Sequence, residues 1–166
     1  MFKNIITALS MLGLLMSTPA NSNEVIVKTK IIQKTVIKKV PIYLDRNDKA
    51  QIKCLADNAY FEAGNQSTKG KIAVTHVVMN RIGDHRFPTT PCGVIHQKHQ
   101  FSWFGVKSTI KELNVYNECK QVAEQVYIGN ISDVTNGAKF YHATYVHPNW
   151  KLTQSTQIGA HIFYRG

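Results

Sequence analysis

Three stretches of the chain repeat apolar positions with a helical period, and two more alternate them with a strand period. Between Asn47 and Gly64 the apolar stripe is Ile52, Leu55 and Ala59. That spacing of i, i+3 and i+7 predicts an α-helix capped by Asn47–Asp48 and stopped at Gly64. A second helix follows Ser67–Thr68 and runs to Gly83, with Ala73, Val77 and Asn80 on one face and Val74, Val78 and Arg81 on the next. A third, from about Asn114 to Ile128, turns Val115, Cys119, Val122 and Val126 inward and stops at Gly129. After the turn pair Asn136–Gly137, Ala138–Ala143 reads as a strand and Ile158–Tyr164 as its partner. Residues 84–109 are rich in Pro, Gly, His and aromatics, which predicts a long shaped loop of the kind that carries function. The predicted fold class is α+β: helices first, a short antiparallel sheet last.

The first 47 residues of the chain have a different pattern. Met1–Asn4 supplies a positive start, Ile5–Met16 is an uncharged apolar-rich run, and Ser17–Ala20 ends in small residues. This is the layout of a secretory signal peptide over residues 1–20, with an uncleaved anchor as the alternative. Cleavage after Ala20 would leave 146 of 166 residues, working outside the cytoplasm. Residues 21–47 alternate β-branched and basic side chains and read as a basic spacer, leaving 48–166 as the compact domain. Lys and Arg total 20 against 10 Asp and Glu, a net charge of +10. Such a balance implies a polyanionic partner: nucleic acid, an acidic lipid surface or an anionic wall polymer. Export demotes nucleic acid, so the expected location is the periplasm or cell envelope, where the spacer could rest on anionic membrane or wall.

Glu62 is the next member of the first helix's apolar stripe, at i+10 from Ile52. A carboxylate in the last turn, on the inward face, is desolvated and meets the negative end of the helix dipole. Both effects raise its pKa and make it a candidate acid. The alternative is a glutamate at the domain edge, reaching water or pairing with an arginine such as Arg81.

Seven blocks in order carry a resemblance. They are Leu55–Gly64, Gly70–Ile82, Phe87–Pro88 with Cys92–Ile95, Gln100–Trp103, Gly137–His142, Pro148–Trp150 and Ile158–Tyr164. From Cys54 to Tyr164 the chain resembles the SleB/CwlJ-type cell wall hydrolases, a family named for enzymes that degrade spore-cortex peptidoglycan. Relatives of these enzymes occur in Gram-negative bacteria and phages. One departure stands at Gly64, where the family often has arginine. The resemblance implies a small lysozyme- or lytic-transglycosylase-like domain, a peptidoglycan glycan strand as partner, no cofactor and no metal, and Glu62 as the catalytic acid.

Glycoside cleavage normally recruits a second carboxylate. Asp57 lies five residues before Glu62, about 140° round the helix, so the two diverge. Glu118 and Glu124 flank the stripe of the third helix as solvated groups, while Asp84 and Asp133 sit in loops that could approach. A lone acid suits a lytic transglycosylase, in which the substrate's own 6-hydroxyl attacks and Glu62 serves as acid and then base. Gln100 and Ser102 are candidates to bind an N-acetyl group, with Trp103 as a sugar platform or a core residue. Of the alternating pair Tyr141 and His142, Tyr141 is preferred for the cleft. His161 is a further substrate-binding candidate with an equally ordinary structural role. His96 and His99 read as surface residues, with no completing ligand for a metal. Among the three cysteines, a Cys92–Cys119 disulfide is expected, leaving Cys54 free. The competing readings are a wall-binding module without activity and a cysteine–histidine amidase or peptidase acting on peptidoglycan. A monomer is expected.

Overall fold

Asp45, two residues ahead of the expected cap, begins the first helix. The computed structural model describes residues 42–98, 100–105 and 108–166. The signal peptide, the spacer as far as residue 41, and His99 lie outside them. Helix α1 spans Arg46–Ala63 because Asp45 and Asp48 form a reciprocal capping box. Asp48 N donates to Asp45 Oδ1 at 2.8 Å, and Asp45 N donates to Asp48 Oδ2 at 3.0 Å. The last residues assigned to the spacer therefore belong to the domain. Helix α2 (Thr68–Ile82) is capped by Ser67, whose Oγ accepts from Gly70 N. A short helix α3 (Pro91–Ile95) interrupts the expected loop; Thr90 caps it and Pro91 occupies its first turn. Helix α4 covers Leu113–Tyr127.

Helix α1 packs against α2, α3 and α4. Alanines at 56, 59, 63 and 73, all fully buried, let the backbones approach closely. Two apolar clusters result. Ile52, Leu55, Val78, Val94, Ile95 and Phe101 fill one among the helices. Ala59, Val74, Val77, Cys119, Ile158 and Phe163 fill the other, between the helices and the sheet. No helix among the described residues is long and apolar enough to cross a membrane.

The sheet holds three strands in the order β1-β3-β2, all antiparallel: β1 (Phe140–Ala143), β2 (Thr153–Ile158) and β3 (His161–Arg165). The predicted pairing of β1 with the C-terminal segment is present, with Tyr141 opposite Phe163. Its boundary differs, because Ile158 closes β2 and Gly159–Ala160 make the turn. Gly159 has φ +56°, and a Cβ there would stand 2.5 Å from Gln66 Oε1. That same Oε1 accepts from Ala160 N at 3.0 Å, tying the β2–β3 turn to the α1–α2 loop. Strand β2, Thr-Gln-Ser-Thr-Gln-Ile, has no apolar alternation, so periodicity could not mark it.

The cysteine pairing differs from expectation. Cys54 on α1 is bonded to Cys92 on α3, with Cα atoms 5.3 Å apart. Cys119 is free and buried in the cluster under the sheet. Its place on the inward stripe of α4 holds it in that cluster, while Cys54 faces α3 from the middle of α1.

Candidate active site

Glu62 ends α1 where the helical layer meets strand β1. Tyr141 Oη donates to Glu62 Oε2 at 2.8 Å, and behind them lies Arg81 of α2. Burial raises the Glu62 pKa, while the Tyr141 hydrogen bond and the Arg81 charge pull it down. The result is a carboxyl group that keeps its proton above the ordinary range, as a general acid requires. Tyr141 is half-buried, and desolvation of its phenol first, then the Glu62 charge, holds it well above the usual value. It therefore stays a donor.

Arg81 is 6% exposed. Its guanidinium lies 5.1 Å from the ring of Phe87 and 5.7 Å from those of Phe101 and Phe140. Nε donates to Lys139 O at 2.7 Å and Nη1 to Gln100 Oε1 at 3.0 Å, so the arginine fixes both β1 and the loop that carries Gln100.

Three confluent cavities surround this centre. The first, about 470 Å³, contains Glu62, Asn65, Gln66, Glu112, Tyr145 and His161 in its walls. The second, about 490 Å³, is formed by Glu62, Arg81, Gln100, Ser102, Phe104 and Tyr141. The third, about 560 Å³, extends past Arg81, Gln100 and Tyr141 to Asn149, Trp150 and Lys151. Glu62 sits where the first two meet, in the interior of the groove.

The structure thus brings Gln100, Ser102, Tyr141 and His161 to cavities that adjoin Glu62. It does not bring Trp103 there. The indole stacks on Phe61 at 4.8 Å and packs against the helical cluster, walling a fourth hollow beside Asp57 that shares Phe61 with the first cavity and Phe104 with the second. Phe104, 41% exposed, stands instead in the second cavity. His161 lies edge-on to Tyr141 at 5.2 Å, and burial, then His142, lowers its pKa and keeps it neutral. His142 turns away: its ring nitrogens reach Ala143 O and Tyr164 Oη, both at 2.9 Å.

The other carboxylates are mostly engaged elsewhere. Asp84 accepts from Arg86 and from Lys139 Nζ (2.7 Å), which holds it well below the carboxylate range. Asp133 organises its own loop, accepting from Thr135 N, Gly137 N and Asn80 Nδ2. Asp57 pairs with Lys53 and accepts from Tyr116 Oη. Glu118, expected to be solvated, accepts from Lys71 Nζ and Thr68 Oγ1, both at 2.6 Å. Glu112 alone among them shares a cavity with Glu62. Its backbone N–H and that of Lys111 donate to Tyr60 Oη, at 3.1 and 3.0 Å. Residue patterning missed Glu112, because no periodic segment reaches it. The buried Cys119 thiol, pushed up to about 11 mainly by desolvation, is no nucleophile, and the other two sulfurs are bonded to each other. Cys54 Sγ lies 3.8 Å from His96 Nε2 but is held in the disulfide, so among the described residues no free thiol is paired with a histidine.

A helical layer backed by a short antiparallel sheet, with one desolvated glutamate between them, defines a small α+β domain of lysozyme-like build. The profile of the family described as Cell Wall Hydrolase matches residues 65–164, beginning just past Glu62, and the chain belongs to that family. It is 29% identical over 133 residues to a spore cortex-lytic enzyme of Oceanobacillus iheyensis, covering 75% of this chain and 44% of that protein. A Bacillus subtilis spore cortex-lytic enzyme is 27% identical over 136 residues, with 79% and 42% covered. The chain thus spans under half the length of these relatives. The fold is similar to the catalytic domain of Bacillus cereus SleB, with TM-score 0.60, 26% identity and coverage of 76% of this chain and 95% of that one. It is also similar to the catalytic domain of a germination-specific lytic transglycosylase, SleB from Bacillus anthracis. There the TM-score is 0.61 at 26% identity, over 76% of this chain and all of that one.

Proposed function

We propose that the chain cleaves the MurNAc–GlcNAc backbone of peptidoglycan as a lytic transglycosylase, in the cell envelope, with Glu62 as its catalytic acid. The observation that carries this reading is the setting of Glu62. It is a desolvated carboxyl group in the interior of an elongated groove, oriented by a phenol that remains a donor. Protonated Glu62 gives its proton to the leaving glycosidic oxygen. The carboxylate then accepts the proton of the muramyl 6-hydroxyl as that oxygen attacks the anomeric carbon, closing a 1,6-anhydro ring. Arg81 steadies the carboxylate between the two half-reactions, and Gln100 and Ser102 face the sugar from the second cavity. Spore cortex-lytic activity in the relatives, and lytic transglycosylase activity in one structural neighbour, support the assignment.

A second reading rests on Glu112. As the one other carboxylate that lines a cavity with Glu62 among the described residues, it would activate a water molecule and leave reducing muramic acid. Incubation of purified peptidoglycan with the wild type and with Glu62→Gln, followed by mass analysis of the soluble products, tests both. Glu62→Gln should lower turnover by at least about 10²-fold while sedimentation with insoluble wall persists. Wild-type products should carry 1,6-anhydromuramyl ends. Reducing ends that vanish with Glu112→Gln would establish the hydrolytic route instead. Near-normal activity of Glu62→Gln would remove Glu62 from the mechanism and favour a binding module.

A further inference from the structure

The groove is electrically polar along its length. At one end, the first cavity is flanked by Glu62 and Glu112, and no Lys or Arg lines it among the described residues. At the other end, the third cavity has Arg81 and Lys151 in its walls and no carboxylate. Arg81 is the more telling of the two cations. A guanidinium this deeply buried is normally matched by a carboxylate, because removing an isolated charge from water is costly. Here its described hydrogen bonds go to two neutral oxygens, Lys139 O and Gln100 Oε1, and its flanks are three phenylalanine rings. It enters none of the ion pairs formed among the described residues, and neither does Lys151. Two cationic side chains thus converge on one hollow. The carboxylate whose charge acts on Arg81, Glu62, lines the adjoining second cavity and not this one, and Lys151 has no anion beside it among the described residues. Asn149 adds a neutral polar group and Trp150, 43% exposed, a flat apolar face.

We infer that the third cavity is an anion subsite for a carboxylate carried on the 3-O-lactyl arm of a muramyl residue. This rests on the reading of the groove as a peptidoglycan site. Within such a strand the pyranose rings, hydroxyls and acetamido groups are neutral. Negative charge enters only through the lactyl arm, as the carboxylates of an attached peptide stem or as the lactyl carboxylate once the stem has been removed. The cavity selects muramyl-bearing strands over neutral glycans, and Glu112 at the opposite end of the groove, the carboxylate there that is not the protonated acid, biases their direction by like charge.

Three substrates separate the sources: stem-bearing strands, amidase-treated strands with a free lactyl carboxylate, and amidase-treated strands whose lactyl group has been converted to a neutral methylamide. Wild-type protein should show KM about tenfold higher on the neutral strand than on the better anionic one, the scale of a hydrogen bond to a charged group. Whichever anionic strand has the lower KM identifies the source. Lys151→Glu should raise KM on anionic strands about fivefold or more and leave the neutral strand within about twofold. Equal KM on all three strands, or an equal effect of Lys151→Glu on all three, would overturn the subsite. Binding of the same strands to Glu62→Gln gives a readout independent of chemistry. Tighter binding of anionic strands with no cleavage by wild type would retain the subsite and refute the enzymatic reading, whereas cleavage without charge discrimination would do the reverse.

Discussion

Burial, Tyr141 and Arg81 act together on the Glu62 carboxyl group, each in a direction that can be measured. Desolvation raises the carboxyl pKa, and the Tyr141 hydrogen bond is the larger of the two effects opposing it. Tyr141→Phe removes that opposition while keeping the ring against Phe163. Glu62 should then hold its proton to higher pH, so the basic limb of kcat/KM moves upward. A lost hydrogen bond of this kind should lower the rate at the optimum by about 3–10-fold. A basic limb that stays in place or moves down would show that Tyr141 does not touch the reacting form of Glu62. The inward glutamate was legible from the i+10 position of its stripe. The guanidinium behind it was not, because helical spacing put Arg81 on a face without saying that Phe87, Phe101 and Phe140 would enclose it.

At the scale of elements, the Cys54–Cys92 bridge joins the middle of α1 to the short helix α3, immediately before the loop bearing Gln100 and Ser102. His96, at the end of α3, stacks on Phe104 of the second cavity at 4.5 Å. The bridge therefore anchors the groove wall as well as the helical layer. Thiol counting on the oxidised protein should find one thiol, Cys119, reactive only after denaturation. Closing a separation of 38 residues limits the unfolded chain, so Cys54→Ser with Cys92→Ser should cost about 2–4 kcal/mol in denaturant unfolding. The same double variant should raise KM more than it lowers kcat, since Glu62 sits on α1 itself while Ser102 and Phe104 depend on α3. Unchanged stability would mean that packing alone holds α3. Sequence patterning found the three long helices and the β1–β3 pair, whose apolar periods are strong. It missed α3, too short for a period to show, and β2, whose polar side chains pack at the edge of the sheet.

For the whole molecule, Leu44 packs against the helical cluster, so the folded unit reaches ahead of the cap at Asp45. Removal of residues 1–41 should leave a single cooperative unfolding transition and full activity on soluble strands. Removal of 1–47 takes away Asp45, half of the capping box, together with Leu44. It should lower stability by a further 1–3 kcal/mol or so, combining a lost cap with lost burial. Equal midpoints for the two truncations would place the domain boundary after Asn47, and loss of the transition in the longer form would make the N-terminal segment part of the core.

The sequence by itself determined the fold class, the order of the three long helices and the inward-leaning glutamate in the last turn of α1. Each is written in local periodicity, caps and turn residues that act over a few neighbours. Tertiary structure alone decided which cysteines pair, which carboxylates are consumed by structural contacts, and which aromatic faces the groove. Those outcomes depend on contacts between residues far apart in the chain. Cys119 and Cys54 occupy comparable inward-leaning positions on their helices, and only the docking of α3 against α1 distinguishes them. Likewise Trp103 and Phe104 are neighbours in one loop, yet Trp103 stacks on Phe61 against the helical layer while Phe104 reaches the second cavity.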